Sequence, residues 1–176
     1  MECYYALKKY DSVDLYANNI LERGLVAADA EGKAQLYLGK SAYERNIYTN
    51  AIDHFLNAVN TAKDENGAEA QYMLATIYYK QGKHQNSLET LFDLSKNFSI
   101  YEYWLGKSFL LIADNYLAMN ETFQAKATLQ SIIANADNEE VLKEARQKLS
   151  EIEASQANKP KAPDTIEIIN PESQND

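Results

Sequence analysis

Two histidines, one cysteine and 13 tyrosines are the side chains of this 176-residue sequence best suited to chemistry. His54 and His84 offer imidazoles for proton transfer or metal ligation, and Cys3 offers a thiol. A metal site needs several His, Cys or carboxylate ligands at matched spacing, and no such cluster surrounds either histidine. His54 adjoins Phe55 and His84 takes the place of an aromatic, so both read as packing or surface residues. Cys3 has no cationic partner nearby in sequence to favour its thiolate. Gly82 and Gly106 belong to no phosphate-cradling loop. The acidic pairs Asp64 with Glu65 and Glu139 with Glu140 suit helix N-termini, where the backbone dipole favours negative charge. Neither catalytic residues, nor metal ligands, nor a cofactor are expected. The tyrosines point instead to recognition, because an aromatic ring with a polar tip buries much area at low entropy cost.

Charge and size narrow the partner class. Lys and Arg total 17 against 26 Asp and Glu, a formal net charge of −9, and the predicted pI is about 4.8. Sequence-independent binding to nucleic acid needs clustered cations that displace counterions, so nucleic acid is not an expected partner. A chain of this length reads as one domain and needs neither disulfides nor a metal to hold a core. The opening MECYYALKKYD lacks a signal-peptide core, and no window of about 18 apolar residues spans a membrane. As written the chain reads as cytoplasmic. A periplasmic or cell-envelope location follows only if Met1 lies inside a longer protein.

The elements that must position these side chains are helices. Proline occurs only at Pro160, Pro163 and Pro171, and Ala, Leu, Glu, Lys and Gln dominate the rest. Val, Ile and Thr form no alternating runs, so no sheet is expected. The helices repeat. Gly39, Ala75 and Ala113 are spaced by 36 and 38 residues, and Ala51, Ser87 and Ala125 by 36 and 38 again. An offset of 12 between the two sets fits two helices joined by a tight turn. Those turns read Arg45-Asn46-Ile47, Gln81-Gly82-Lys83 and Met119-Asn120-Glu121, with Asn or Gly where a helix end enters the left-handed region.

The landmarks resemble the tetratricopeptide repeat, a helix-turn-helix unit of about 34 residues. Leu74, Ala75, Tyr78, Tyr79, Lys80, Gln81 and Gly82 follow its register, with Ser87 and Leu91 where Ala and Phe usually stand. Leu38, Gly39, Ala51, Phe55 and Ala58 match in the unit before, and Ile112, Ala113, Tyr116, Ala125, Leu129 and Ile132 in the unit after. The usual Trp is replaced by Gln35, Gln71 and Phe109, and no repeat ends in proline. The resemblance implies an all-α, right-handed solenoid of antiparallel helix pairs. Its expected parts are an incomplete repeat over 1–28, repeats over 29–66, 67–98 and 99–136, a capping helix over 137–155 and a flexible tail over 156–176. Carrying the register back puts Tyr5 in the place of Tyr43 and Val13 in that of Ala51, so the chain would open midway along a first helix. Asp137, three residues before Glu140, resembles a capping box.

In this family the first helices line a concave groove. The resemblance therefore implies a groove of Leu36, Lys40, Tyr43, Tyr72, Thr76, Tyr79, Lys107, Leu110 and Asp114, receiving a peptide or helix of a protein partner. The family's carboxylate clamp for chaperone tails is not expected, since only Lys107 agrees among Leu36, Lys40, Thr76, Lys107 and Leu111. Two alternatives accompany this reading. The apolar edge around Tyr4, Tyr5 and Leu7 would join further repeats or a second copy of the chain. The tail segment around Ile166, Ile168 and Ile169 would fill the groove itself.

Overall fold

The computed structural model describes residues 1–24 and 27–157, and the tail around Ile166, Ile168 and Ile169 lies outside the described residues. Among them are nine helices: α1 (Glu2–Ala6), α2 (Tyr10–Glu22), α3 (Ala28–Glu44), α4 (Tyr48–Thr61), α5 (Glu65–Lys80), α6 (His84–Asn97), α7 (Glu102–Ala118), α8 (Thr122–Asn135) and α9 (Glu139–Ala157). No strand occurs among these residues. The fold is an all-α helical-repeat solenoid.

Local sequence explains each hairpin. The chain reverses at Lys8, Asn46, Gly82 and Asn120, with φ of 55°, 61°, 70° and 62°. In each turn two backbone bonds close the helix end: Asn46 N–H donates to the Tyr43 carbonyl and Ile47 N–H to that of Ala42, and the same pairings recur at the other three sites. This doubly bonded end satisfies carbonyls that the helix leaves open. Glycine reaches a left-handed φ without strain, whereas alanine there meets its own carbonyl. Gly82→Ala is expected to lower stability by about 1 kcal/mol, read as a reduced urea midpoint with unchanged helicity.

The stacking order follows from which helices touch. Each helix packs on the next, and α1 also meets α3, α3 meets α5, α5 meets α7 and α7 meets α9. No two even-numbered helices meet. The odd helices are thus the inner layer of the stack and the even helices its outer layer. Close approach rests on small residues: Ala51, Ser87 and Ala125 are fully buried, and Gly39 lies where any Cβ would come within 2.6 Å of the Phe55 ring. Where the family has tryptophan, glutamines tie first helix to second. Gln35 Oε1 lies 2.8 Å from His54 Nδ1, and Gln71 Nε2 donates to the Thr90 carbonyl at 3.1 Å.

The C-terminal helix differs from expectation in two respects. Its N-cap is Asn138, whose Oδ1 accepts from the backbone N–H of Glu140 and Val141 at 3.1 Å each, so Asp137 is not the capping residue. The helix also continues through Gln156 and Ala157, past the expected boundary at 155.

Candidate functional site

The inner face of the odd helices carries most of the residues the register singled out. Tyr43, Tyr72 and Tyr79 are half-buried along α3 and α5. Leu36 and Leu110 are not on that surface: they are 1% and 2% exposed and belong to the core, so they are removed from the groove set. Each sits on the side of its helix that meets the paired second helix, where apolar burial is the dominant stabilisation.

The charged candidates are present but already engaged. Lys40 Nζ lies 2.5 Å from Glu69 Oε1, and stands 4.7 Å and 5.0 Å over the rings of Tyr5 and Tyr37. Lys107 Nζ donates to Glu144 Oε2 at 2.9 Å, and Lys148 Nζ to Asp114 Oδ1 at 2.7 Å. Lys33 pairs with Glu2. These bonds cross between neighbouring odd helices, so each ion answers a charge on the next unit. Partly exposed pairs contribute about 0–1 kcal/mol each, and their chief effect here is to hold side chains in place and neutralise the face. Burial alone would lower Lys107, yet the hydrogen bond and charge of Glu144 outweigh it and hold the ammonium above its ordinary value. Thr76 Oγ1 donates to the Tyr72 carbonyl at 2.9 Å within its own helix.

With the charges paired, the phenols dominate what remains. Tyr5 O–H donates to Glu44 Oε1 at 3.2 Å, and Lys80 Nζ stands 4.6 Å over the Tyr43 ring. Tyr72 packs at 5.5 Å from the Trp104 ring, which Tyr103 meets edge-on at 5.1 Å. Burial, then the charges of Glu2 and Glu69, push Tyr37 up to about 12. Tyr72 and Tyr79 are likewise raised, chiefly by burial. Tyr37, Tyr72 and Tyr79 stay neutral phenols at physiological pH and offer rings and hydroxyls rather than charge. Among the described residues, no group of three or more His, Cys, Asp or Glu converges to hold a metal ion.

Tyr37, Trp104, Glu144 and Lys148 belong to this face and were not singled out from sequence, whereas Glu69 shares a polar column of the register with Lys33 and Lys107. Glu144 and Lys148 read as the solvent side of a capping helix. In the structure they turn toward α7 and extend the odd-helix face by one helix. The available signal was a charge of opposite sign about one repeat beyond Lys107 and Asp114.

On the outer layer, half-buried His54 accompanies a cavity of about 200 Å³ beside Asp14 and Arg45. Burial holds His54 below its ordinary 6.5, against the opposing charges of Asp53 and Asp14. The folded state therefore binds this proton less readily than the unfolded chain. The stability attached to neutral His54 is full above the ordinary histidine value and is lost as pH falls through the lowered one. The stability gap between the parent chain and His54→Gln is expected to shrink between about pH 7.5 and pH 5, measured by urea unfolding at each pH.

Comparison with known proteins agrees with this geometry. Residues 69–99 and 103–138 each match the family model of the tetratricopeptide repeat, covering most of the α5–α6 pair and the α7–α8 pair. No curated protein and no solved structure matches the chain. No helix among the described residues is long and apolar enough to cross a membrane.

Proposed function

We propose, from the premise that the chain belongs to the tetratricopeptide-repeat family, that it is a non-enzymatic scaffold whose inner face receives a segment of another protein. Repeats of this family generally serve protein–protein interaction. The observation that carries the finer reading is the strip of half-buried phenols on the odd helices, with the intervening charges paired among themselves. Such a face favours apolar or aromatic side chains and neutral hydrogen-bonding groups. A terminal carboxylate would find Lys40 and Lys107 already occupied, and its desolvation would go uncompensated.

The test compares proteins captured by the parent chain with those captured by Tyr43→Ala/Tyr79→Ala, identified by mass spectrometry. Both rings are partly exposed, so the helical signal should persist. Loss of anchor aromatics typically weakens a complex by about 2 kcal/mol or more, roughly 30-fold. A partner retained undiminished by the folded variant would overturn the groove reading.

A second reading draws on the N-terminal edge. Tyr4 and Tyr16 stack there at 5.1 Å and 13° between planes, and Leu7 and Leu15 are 65% and 60% exposed. This apolar rim would pair two copies face to face, or receive a further repeat. Leu7→Lys/Leu15→Lys is expected to convert a self-associating chain to monomer in sedimentation equilibrium. A parent chain that is monomeric at about 100 μM disposes of self-pairing with a dissociation constant tighter than that.

A further inference from the structure

At the end of the solenoid opposite the hairpin turns, α7, α8 and α9 enclose a cavity of about 300 Å³. That volume falls at the lower end of the range for ligand pockets, about 300–1,000 Å³. Leu105, Gly106, Phe109, Ile132 and Val141 give it an apolar floor, and Ala136 stands at its side. Its origin can be read by comparing successive repeats.

Ala136 occupies the place that Phe98 holds 38 residues earlier and Ala62 holds 36 residues before that. Phe98 is 2% exposed and fills the corresponding space, in a cluster with Ala68 and Leu94. Around Ala62 no ring is needed, because Gly32 and Gly67 bring α3 and α5 directly onto it. The last repeat keeps the glycine, since Gly106 holds the place of Gly32, but not the ring. Ala136 brings no ring, and the branched Val141 sits against Gly106 where its methyls are within 2.9 Å of any added Cβ. α7 and α9 thus touch at Gly106 and Val141, and it is the space beside Ala136 that is left open.

The mouth has a definite charge. Glu102 and Asp137 line it, both are exposed, and neither forms an ion pair among the described residues. In the first turn of α9 the amides of Glu140 and Val141 are taken by Asn138, and the side chains at the entrance include the carboxylates of Glu102 and Asp137. Lys107, one turn further along α7, is committed to Glu144. An apolar hole with an acidic rim complements a ring flanked by cations.

We propose that this cavity receives the aromatic side chain of a partner protein segment that carries Lys or Arg beside it. The inserted ring would restore the packing that Phe98 supplies in the preceding repeat, and the flanking cations would answer Glu102 and Asp137. The site is separate from the tyrosine face, so binding here does not depend on Tyr43 or Tyr79.

The test is an amide NMR titration of the full chain with the end-capped peptide Ala-Lys-Phe-Lys-Ala, against versions with Glu for Lys or Ala for Phe. Saturable shifts at Gly106, Ile132, Ala136 and Val141 are expected with the first peptide alone, in the millimolar range normal for so small a ligand. Ala136→Phe should weaken this binding at least tenfold while keeping or raising the thermal midpoint, since the ring fills the space from within. Glu102→Gln/Asp137→Asn alters only exposed side chains and should weaken binding at least fivefold and flatten its salt dependence. Tyr43→Ala/Tyr79→Ala should leave it unchanged, which separates failure of this site from failure of the groove. The proposal is overturned by equal shifts from the Lys and Glu peptides, by shifts confined to the tyrosine face, or by no saturable shift up to about 10 mM. It is equally overturned by binding that survives in folded Ala136→Phe. Should that variant not fold, the carboxylate pair decides alone.

Discussion

Phe55→Ala is expected to remove about 3–5 kcal/mol of folding stability, the cost of deleting a fully enclosed ring and leaving a cavity. Phe55 is 0% exposed, and its ring lies against Gly39 on α3. Its cluster reaches Leu36 on α3, Ala51 and Ala58 on α4, and Ala70, Leu74 and Ile77 on α5. The ring therefore joins a helix to its partner and one repeat to the next. In a stacked array, stability is close to a sum of unit and neighbour terms, so weakening one joint loosens everything beyond it. A domain has only about 5–15 kcal/mol in total, and the substitution should lower the urea midpoint severely or split the transition in two. Collapse of the surrounding side chains onto the hole is limited because Gly39 and Ala51 have no atoms to move into it. A change below about 1 kcal/mol would mean that Phe55 is not the plug of this joint.

The joint between the two matched repeats is polar, and Asn115→Leu is expected to cost about 2–4 kcal/mol there. Asn115 is fully buried. Its Nδ2 donates to Ser87 Oγ at 3.0 Å and to the Leu111 carbonyl at 2.8 Å, and its Oδ1 faces His84 Nδ1 at 3.1 Å. Ser87 Oγ in turn donates to the Ala75 carbonyl at 3.0 Å. The network runs from α5 through α6 to α7. Removing Asn115 leaves half-buried His84 without this partner and fully buried Ser87 with an empty acceptor site, and a buried polar group without a partner costs more than its bond contributes. The companion measurement is a double-mutant cycle with Ser87→Ala, which supplies the small apolar residue found at Ala51 and Ala125. The pair of substitutions should be less damaging than the sum of the two singles by about 1 kcal/mol. Strict additivity in urea unfolding would show that Ser87 and Asn115 do not interact.

Asn115 also marks a limit of reading by pattern. It follows Ala113 by two positions on a helix of apolar repeat landmarks, where its burial and its reach to Ser87, 28 residues earlier, are set by helix contact rather than by spacing along the chain. The same applies to the inner face. The tyrosine column could be read from the repeat register, whereas the partners of Lys40, Lys107 and Asp114 lie on other helices, 29, 37 and 34 residues away. Leu36 and Leu110 share the register of Tyr72, yet lie in the core while Tyr72 stays half-buried. A phenol can bury its ring and lead its hydroxyl outward, and a leucine at that rotation has no polar tip to keep at the surface.

By itself the sequence determined the helices, their pairing and their turns. Proline-free composition and Asn or Gly at three of the four reversals act within a few residues, because helix bonds and left-handed caps are local interactions, and small residues recurring at 36 and 38 mark which helices pair. Even Lys8, which no turn preference would select, is drawn to the same φ as Asn46 by the two backbone bonds that close the helix end. Only the tertiary structure decided which side of each helix became surface, which charges met, and where a ring was missing. Those outcomes depend on how closely neighbouring helices approach and how they are rotated. A single residue can change what such packing encloses, as Ala136 does in the place that Phe98 fills one repeat earlier.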